Sequence, residues 1–257
     1  AVVSAQAIVV NTPPVATVAL NNSAPRTNDI LTATATKADV DNDAVTLTFV
    51  WKKNGAVTKT TSGSASLTDT YDLSVSGNGD KRDTITVEVT PNDGTDNGAV
   101  VSAQATVVNS SPVAKFTFAP SQPVEGGVTQ FKDLSYDVDP GDSVVSWQWH
   151  IQGANMESQT SAAQNPSFIP PNEGTYTVSL TVTDPDEAST TVVSGQAASD
   201  GASIAPLVVG NAPPLVNAMS IEVRTGDDLS LVGRFVDSGW LDSHTAVWVI
   251  EGLGVLP

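Results

Sequence analysis

The chain has 257 residues, with 11 Lys and Arg against 28 Asp and Glu, giving a formal net charge of −17 and a pI of about 4.1. Such an acidic surface has no basic face to displace counterions from nucleic acid or to meet an anionic bilayer, and no apolar run is long enough to span one. Without cysteine and with only two histidines, disulfides, thiolate chemistry and most metal or acid–base sites are excluded, which leaves an acidic, β-rich, non-catalytic chain.

Residues 1–10, AVVSAQAIVV, read as the last strand of a preceding domain, because the segment 1–16 recurs almost unchanged 98 residues later as AVVSAQATVVNSSPVA over 99–114. A looser third copy, PLVVGNAPPLV, aligns Asn211 with Asn11 and Asn109. Tryptophans keep the same register: Trp51, Trp149 and Trp248 are each followed four residues later by a glycine, at 55, 153 and 252. No basic segment precedes an apolar stretch at the start, so no signal peptide is expected in these residues.

From residue 11 onward the local pattern is strand. LTATATKA (31–38), VTLTFVW (45–51), DTITVEV (83–89) and YTVSLTVT (176–183) alternate apolar or β-branched residues with Thr and Ser. Clusters of Gly, Pro, Asn and Asp break them, and no window shows a capped 3.6-residue stripe. Short strands in units of about 100 residues predict β-sandwiches. The Pro-containing segments 11–14, 109–112 and 211–214 read as boundaries, since proline cannot donate to a sheet ladder. The expected organisation is therefore a unit at 11–108, a second at 109–210, and the N-terminal half of a third at 211–257. Half a sandwich does not bury its own core face, so the chain reads as a window on a longer array.

The second unit resembles the PKD-type Ig-like domain. The residues that carry this are Phe116 and Phe118, VEGGVTQFKDLS (124–135), YDVDPGDSVVSWQW (136–149), NPSF (165–168) and GTYTVSLTVTD (174–184). The family's usual Trp-Asp-Phe-Gly-Asp-Gly segment is here Trp149-His-Ile-Gln-Gly153-Ala154, so any role of those aspartates does not transfer. VRTGDDLSLVGRFVDSGWLDSHTAVW (223–248) is similar to the first half of related domains. LTATATKADVDNDAVTLTFVWKKNG (31–55) with DTITVEVTPNDGT (83–95) resembles an Ig-like repeat of large bacterial surface proteins. The resemblance implies an all-β fold of tandem Ig-like (PKD-like) β-sandwiches, head to tail. It also implies a spacer, adhesive or accessory role in secreted and cell-surface proteins.

One chemical feature recurs, a carboxylate group 11 or 12 residues before the strand tryptophan. It comprises Asp39, Asp41 and Asp43 in the first unit, Asp137, Asp139 and Asp142 in the second, and Asp237 and Asp242 in the third. In a seven-strand sandwich this is the B–C loop. The F–G loop lies at the same end and carries Asp93 and Asp96 in the first unit, and Asp184, Asp186 and Glu187 in the second. These converging oxygens suit calcium, a hard cation that takes six to eight of them, and calcium is the one expected cofactor. Against it, Asp-rich turns also form as plain solvated turns, and position twelve counted from Asp39 is Val50, not the bidentate Glu of an EF-hand. The second unit carries a net −9 against −4 for the first, so repulsion is expected to be strongest in its loops.

Trp51, Trp149 and Trp248 read as core residues of strand C rather than carbohydrate platforms, whereas Trp147 is the better candidate for a surface contact. Tyr176 fits a tyrosine corner. His150 and His244 have no nucleophile–base–orienter set around them in the sequence and read as surface histidines. The expected function is a non-catalytic structural or adhesive segment (stalk, sheath, S-layer or filament component) at a bacterial or archaeal cell surface or outside the cell. The alternative is an accessory spacer or carbohydrate-binding module of a secreted polysaccharide- or protein-degrading enzyme. Expected partners are neighbouring domains of the same chain, like chains in a filament or layer, or surface glycans, with no nucleic acid and no membrane insertion.

Overall fold

Alternation along the chain becomes two packed cores. The computed structural model describes residues 3–8, 10–154, 156–217, 233–239, 242–245, 247–250 and 254–256. The chain divides into two compact units: unit 1 holds residues 1–111 with the short loops 137–143 and 185–188, and unit 2 holds 112–136, 144–184 and 189–257. No helix occurs among the described residues, and none is long and apolar enough to cross a membrane.

Unit 1 contains β1 (Val15–Leu20), β2 (Ile30–Ala38), β3 (Thr46–Lys53), β4 (Ala56–Ser64), β5 (Thr68–Asp72), β6 (Thr84–Asn92) and β7 (Val101–Thr106). They form two antiparallel sheets, ordered β1-β2-β5 and β4-β3-β6-β7. Strand β6 buries every second residue, so that Ile85, Val87 and Val89 line the core beside Leu47, Phe49 and Trp51 of β3. Between β3 and β4 the chain reverses at Asn54-Gly55, both at positive φ (50° and 85°), the left-handed pair a two-residue hairpin requires. Trp51 is fully buried and stacks on Tyr71 at 5.0 Å, its indole N–H donating to Asp69 Oδ2 at 2.8 Å.

Unit 2 contains β8 (Phe116–Ala119), β9 (Thr129–Asp133), β10 (Ser146–Gln152), β11 (Gln159–Ser161), β12 (Ser167–Phe168), β13 (Gly174–Thr183), β14 (Ser189–Val193) and β15 (Leu207–Val209). The sheets run β12-β9-β8 and β11-β10-β13-β14, with β15 also paired to β13. Trp149 is fully buried between Phe116 and Phe131, with ring centroids 5.1 and 5.3 Å away. It occupies the place in β10 that Trp51 holds in β3: Trp51 faces Val87 of β6, and Trp149 faces Leu180 of β13. Tyr176 donates its hydroxyl to the carbonyl of Asn172 at 2.7 Å, which is the corner contact its position suggests. Trp147 is half-buried against the core and donates to Asp133 Oδ2 at 2.7 Å, so it is not a free surface platform.

Beyond these lie β16 (Leu215–Asn217), β17 (Arg234–Val236), β18 (Trp248–Ile250) and β19 (Gly254–Leu256), paired β16–β17 and β18–β19. Trp240 and the side chain of Trp248 lie outside the described residues. No sheet holds described strands from both sides of residue 109. In both units a segment near the start runs parallel to the segment at the end, Arg26 beside Val108 and Val124 beside Gly210.

Candidate functional site: the acidic loops and the segments that fasten to them

Each acidic group sits in a turn that its own first aspartate organises. Asp39 Oδ1 accepts the N–H groups of Asp41 (2.7 Å) and Asp43 (3.2 Å), and Asp137 Oδ1 accepts the N–H of Asp139 (2.8 Å). Asp237 Oδ1 accepts the N–H of Gly239 at 3.0 Å. These are Asx turns, in which a short carboxylate replaces a backbone acceptor. The result is three groups, Asp39/Asp41/Asp43, Asp137/Asp139/Asp142 and Asp237/Asp242/His244, each with ligand atoms within 4.8 Å of one another.

The Asn-containing segments, read in the sequence as boundaries, bind these turns. Asn11 donates its amide to Asp93 Oδ2 and Asp96 Oδ2, both at 2.9 Å, and the Thr12 N–H donates to Asp41 Oδ2 at 2.7 Å. Two loops far apart in sequence are thus tied by two adjacent residues. Ser110, the counterpart of Thr12, donates its N–H (2.7 Å) and hydroxyl (3.1 Å) to the two oxygens of Asp139, and both residues are buried. Asn211 donates to Asp242 Oδ2 at 3.3 Å. A buried carboxylate is tolerated when donors satisfy it, and a charged acceptor makes each bond stronger than a neutral one.

Lysine enters the second group. Lys81, only 11 % exposed at its side chain, bonds both Asp142 and Asp186, and Arg82 reaches Asp186 Oδ1 at 3.5 Å. All four residues belong to unit 1. The ammonium draws together the two loops whose repulsion the sequence emphasises. Asp184 is buried, at 1 % exposure.

Two carboxylates in these loops are shifted by their hydrogen bonds. The N–H of Asp96 and the Asn11 amide hold the Asp93 carboxyl below the usual aspartate value, and the Lys81 ammonium does the same for Asp186. A lowered folded-state pKa gives stability that is complete above the unfolded value, about 4, and is lost as pH falls through the folded value. The melting midpoint is expected to be level from about pH 8 to 5 and to fall below about pH 4. An Asn11→Ala/Lys81→Met variant is expected to fall less steeply; equal steepness in the two proteins refutes this account.

Lys81 and Glu125 carried no usable signal in the sequence, whereas His244 stands in Asp242-Ser-His-Thr, a partial metal-binding or triad pattern that reads in sequence as a surface histidine. Lys81 lies in a Gly-Asp-Lys-Arg-Asp turn that looks like a solvated charge run. His244 places Nε2 3.2 Å from Asp237 Oδ2 and its ring edge-on to Phe235. Glu125, 1 % exposed, accepts the N–H of Glu173 on Oε2 (2.9 Å) and of Ala212 on Oε1 (3.0 Å). His150 is exposed on β10, as strand alternation places it.

Comparison with known proteins follows the same lines. Residues 98–196 match the family model described as PKD domain. No curated protein matches the chain. Among solved structures, the PKD1 domain of Vibrio anguillarum Epp is 27% identical, with a TM-score of 0.28, over 37% of this chain and 98% of that one. The fibronectin(III)-like modules of Clostridium thermocellum CbhA are 12% identical, with a TM-score of 0.27, over 70% of this chain and 91% of theirs. Three N-terminal domains of the bacteriophage RB49 outer capsid protein Hoc are 13% identical, with a TM-score of 0.28, over 91% of this chain and 73% of theirs. With buried strand tryptophans, a tyrosine corner and paired antiparallel sheets, the chain is built of Ig-like β-sandwiches, and its segment 98–196 matches the PKD domain family.

Proposed function

We propose that the chain is a non-catalytic, load-bearing segment of a bacterial or archaeal extracellular surface protein. Its sandwiches (11–108, 109–210 and the start of another at 211) act as a spacer whose connecting segments are fastened rather than free. The observation that carries this reading is the repeated bonding of a connecting segment to an acidic loop: Asn11 and Thr12, then Ser110, then Asn211. A flexible tether needs no such bonds, and burying Ser110 with Asp139 orders backbone at an entropic cost that only a fixed geometry justifies. PKD domains typically occur in extracellular proteins, and the net charge of −17 keeps an exposed segment soluble. The carbohydrate-platform alternative loses its best candidates, because Trp51 and Trp149 are buried and Trp147 is half-buried.

Calcium binding belongs to the same proposal, and the donor sets fit it unequally. In the first group Asp39 Oδ2 is shielded from solvent with no hydrogen-bond donor on it; Asp39 and Asp43 line a pocket of about 270 Å³ together with Lys37, and Asp41 stands beside them with one oxygen already taken by the Thr12 N–H. A hard cation there would gain carboxylate oxygens, one of them free of any donor, while the Lys37 ammonium is held on the Val45 carbonyl and makes no ion pair with the group. In the second group Ser110 occupies both oxygens of Asp139, and Lys81 already supplies positive charge to Asp142 and Asp186. Calcium is therefore assigned first to Asp39, Asp41 and Asp43.

The test is to melt the full chain in EDTA and in millimolar calcium. Binding to the folded form alone raises stability by about 2.7 kcal/mol at a hundredfold excess over the dissociation constant. Asp39→Asn/Asp41→Asn is expected to abolish that gain. A shift no larger than NaCl of equal ionic strength produces sinks the calcium assignment and leaves the hydrogen-bonded fastening standing.

A further inference from the structure

The three acidic groups are not chemically alike. Asp39/Asp41/Asp43 and Asp137/Asp139/Asp142 offer only oxygen, whereas Asp237/Asp242/His244 adds an imidazole nitrogen. The chain has only two histidines, and the other, His150, stands exposed on β10. A nitrogen among carboxylate oxygens changes the ion that suits the group. Calcium takes oxygen, while imidazole is a ligand for zinc and its first-row neighbours.

The imidazole is held in place. Phe235 of β17 meets the His244 ring edge-on with centroids 4.8 Å apart, and Nε2 stands 3.2 Å from Asp237 Oδ2. The Asp237 side chain is only 6% exposed; its Oδ1 accepts the Gly239 N–H, while its Oδ2 is shielded from water and accepts no hydrogen bond. Nitrogen and oxygen therefore approach without the alignment of a hydrogen bond, which is how two ligands of one ion stand. With bonds of about 2.0–2.1 Å, a tetrahedral ion separates neighbouring ligand atoms by about 3.3 Å. An oxygen of Asp242 completes a set of three ligand atoms within 4.8 Å of one another.

Negative charge gathers here without a cation to balance it. A β-carbon at Gly239 would stand 2.5 Å from Glu125 Oε2 and 2.8 Å from Asp242 Oδ2, so only glycine lets these two carboxylates close on the turn that Asp237 organises. Both oxygens of the buried Glu125 are taken by the N–H groups of Glu173 and Ala212, so it supplies field rather than a ligand. Among the described residues no Lys or Arg pairs with Asp237, Asp242 or Glu125, in contrast to Lys81 in the second group. Protonating His244 would offset one of three carboxylates. A dication on the imidazole and two carboxylates offsets more and gives Asp237 Oδ2 its missing partner.

We infer that Asp237, Asp242 and His244 bind a divalent cation of the zinc class, with water in the remaining position and Glu125 as an outer carboxylate beside Gly239. The site stands apart from the calcium assignment at Asp39, Asp41 and Asp43 and does not depend on it. Filling it also steadies the Asn211 segment, because Asn211 donates to Asp242 Oδ2.

The test titrates the untagged full chain, first stripped with EDTA, with zinc chloride while the imidazole nitrogen resonances of its two histidines are followed by NMR. A His150→Gln chain assigns them. Zinc is expected to move the His244 Nε2 resonance and leave that of His150 in place, and calcium at the same concentration is expected to move neither. By calorimetry, His244→Gln and Asp242→Asn are each expected to weaken zinc binding at least about tenfold, and His150→Gln to leave it unchanged. A His244 resonance that stays put at saturating zinc overturns the site. So does an affinity that His244→Gln leaves intact, or calcium competing on equal terms. The resonance arm keeps every ligand native, so it decides the question even where a ligand variant fails to fold.

Discussion

Replacing Trp149 with alanine is expected to destabilise the second sandwich by about 3–5 kcal/mol, the range for deleting a large buried aromatic. Its side chain is wholly buried, packs on Phe116 and Phe131, and donates its indole N–H to the Ala163 carbonyl at 3.0 Å. The cost has two parts: the lost transfer of the ring from water, and a cavity that the surrounding strands close only partly. Trp147→Ala, two residues earlier on the same strand, is the comparison, since that ring is only half-buried and gives up its bond to Asp133. Denaturant unfolding followed by circular dichroism measures both. If Trp147→Ala costs as much as Trp149→Ala, the core assignment of the strand tryptophan is wrong.

The second large effect is expected at Asp139. Asp139→Ala leaves the buried Ser110 N–H and hydroxyl without their acceptor, a loss of about 1–3 kcal/mol for each group left unsatisfied. The amide of Ser110 is then expected to exchange its hydrogen orders of magnitude faster than in the wild type, while amides in β6 and β13 keep their protection. The same experiment separates two roles for the carboxylate. A hydrogen-bond acceptor loses equal stability with EDTA or with calcium present. A metal ligand loses it only when calcium is there. Equal loss in both buffers is the expected result.

How much of this was legible beforehand depends on the range of the interaction. Period-two alternation is local, so the core strands β3, β6 and β13 and the burial of Trp51 and Trp149 follow from short windows of sequence. The acidic turns were legible for the same reason, since Asp39 bonds residues two and four positions away. Their partners were not. Asn11 reaches Asp93 and Asp96 across 82 and 85 positions, and Lys81 reaches Asp142 and Asp186 across 61 and 105. No periodicity encodes a bond of that kind. The proline in these segments suggested a stiff boundary, whereas the chemistry lies in the asparagine and the residue after it. Glu125 was hidden differently: its Val-Glu-Gly-Gly context looks like an exposed turn, and only the closing of backbone around it makes the carboxylate an internal acceptor.

The parallel contact at the end of each sandwich bears on how the molecule responds to pulling. In the first unit Val108 donates to the Pro25 carbonyl and Thr106 to that of Ser23, while in the second Glu125 donates to Gly210 and Gly210 to Pro123. Tension applied through the two ends of a repeat draws such side-by-side segments in opposite directions along their length. The bonds between them are then loaded in shear, sharing the force, instead of being opened one at a time like a zip. Under stretch each sandwich should hold its full contour until this short patch ruptures and then give way in a single step, at a rate set by its unfolding barrier.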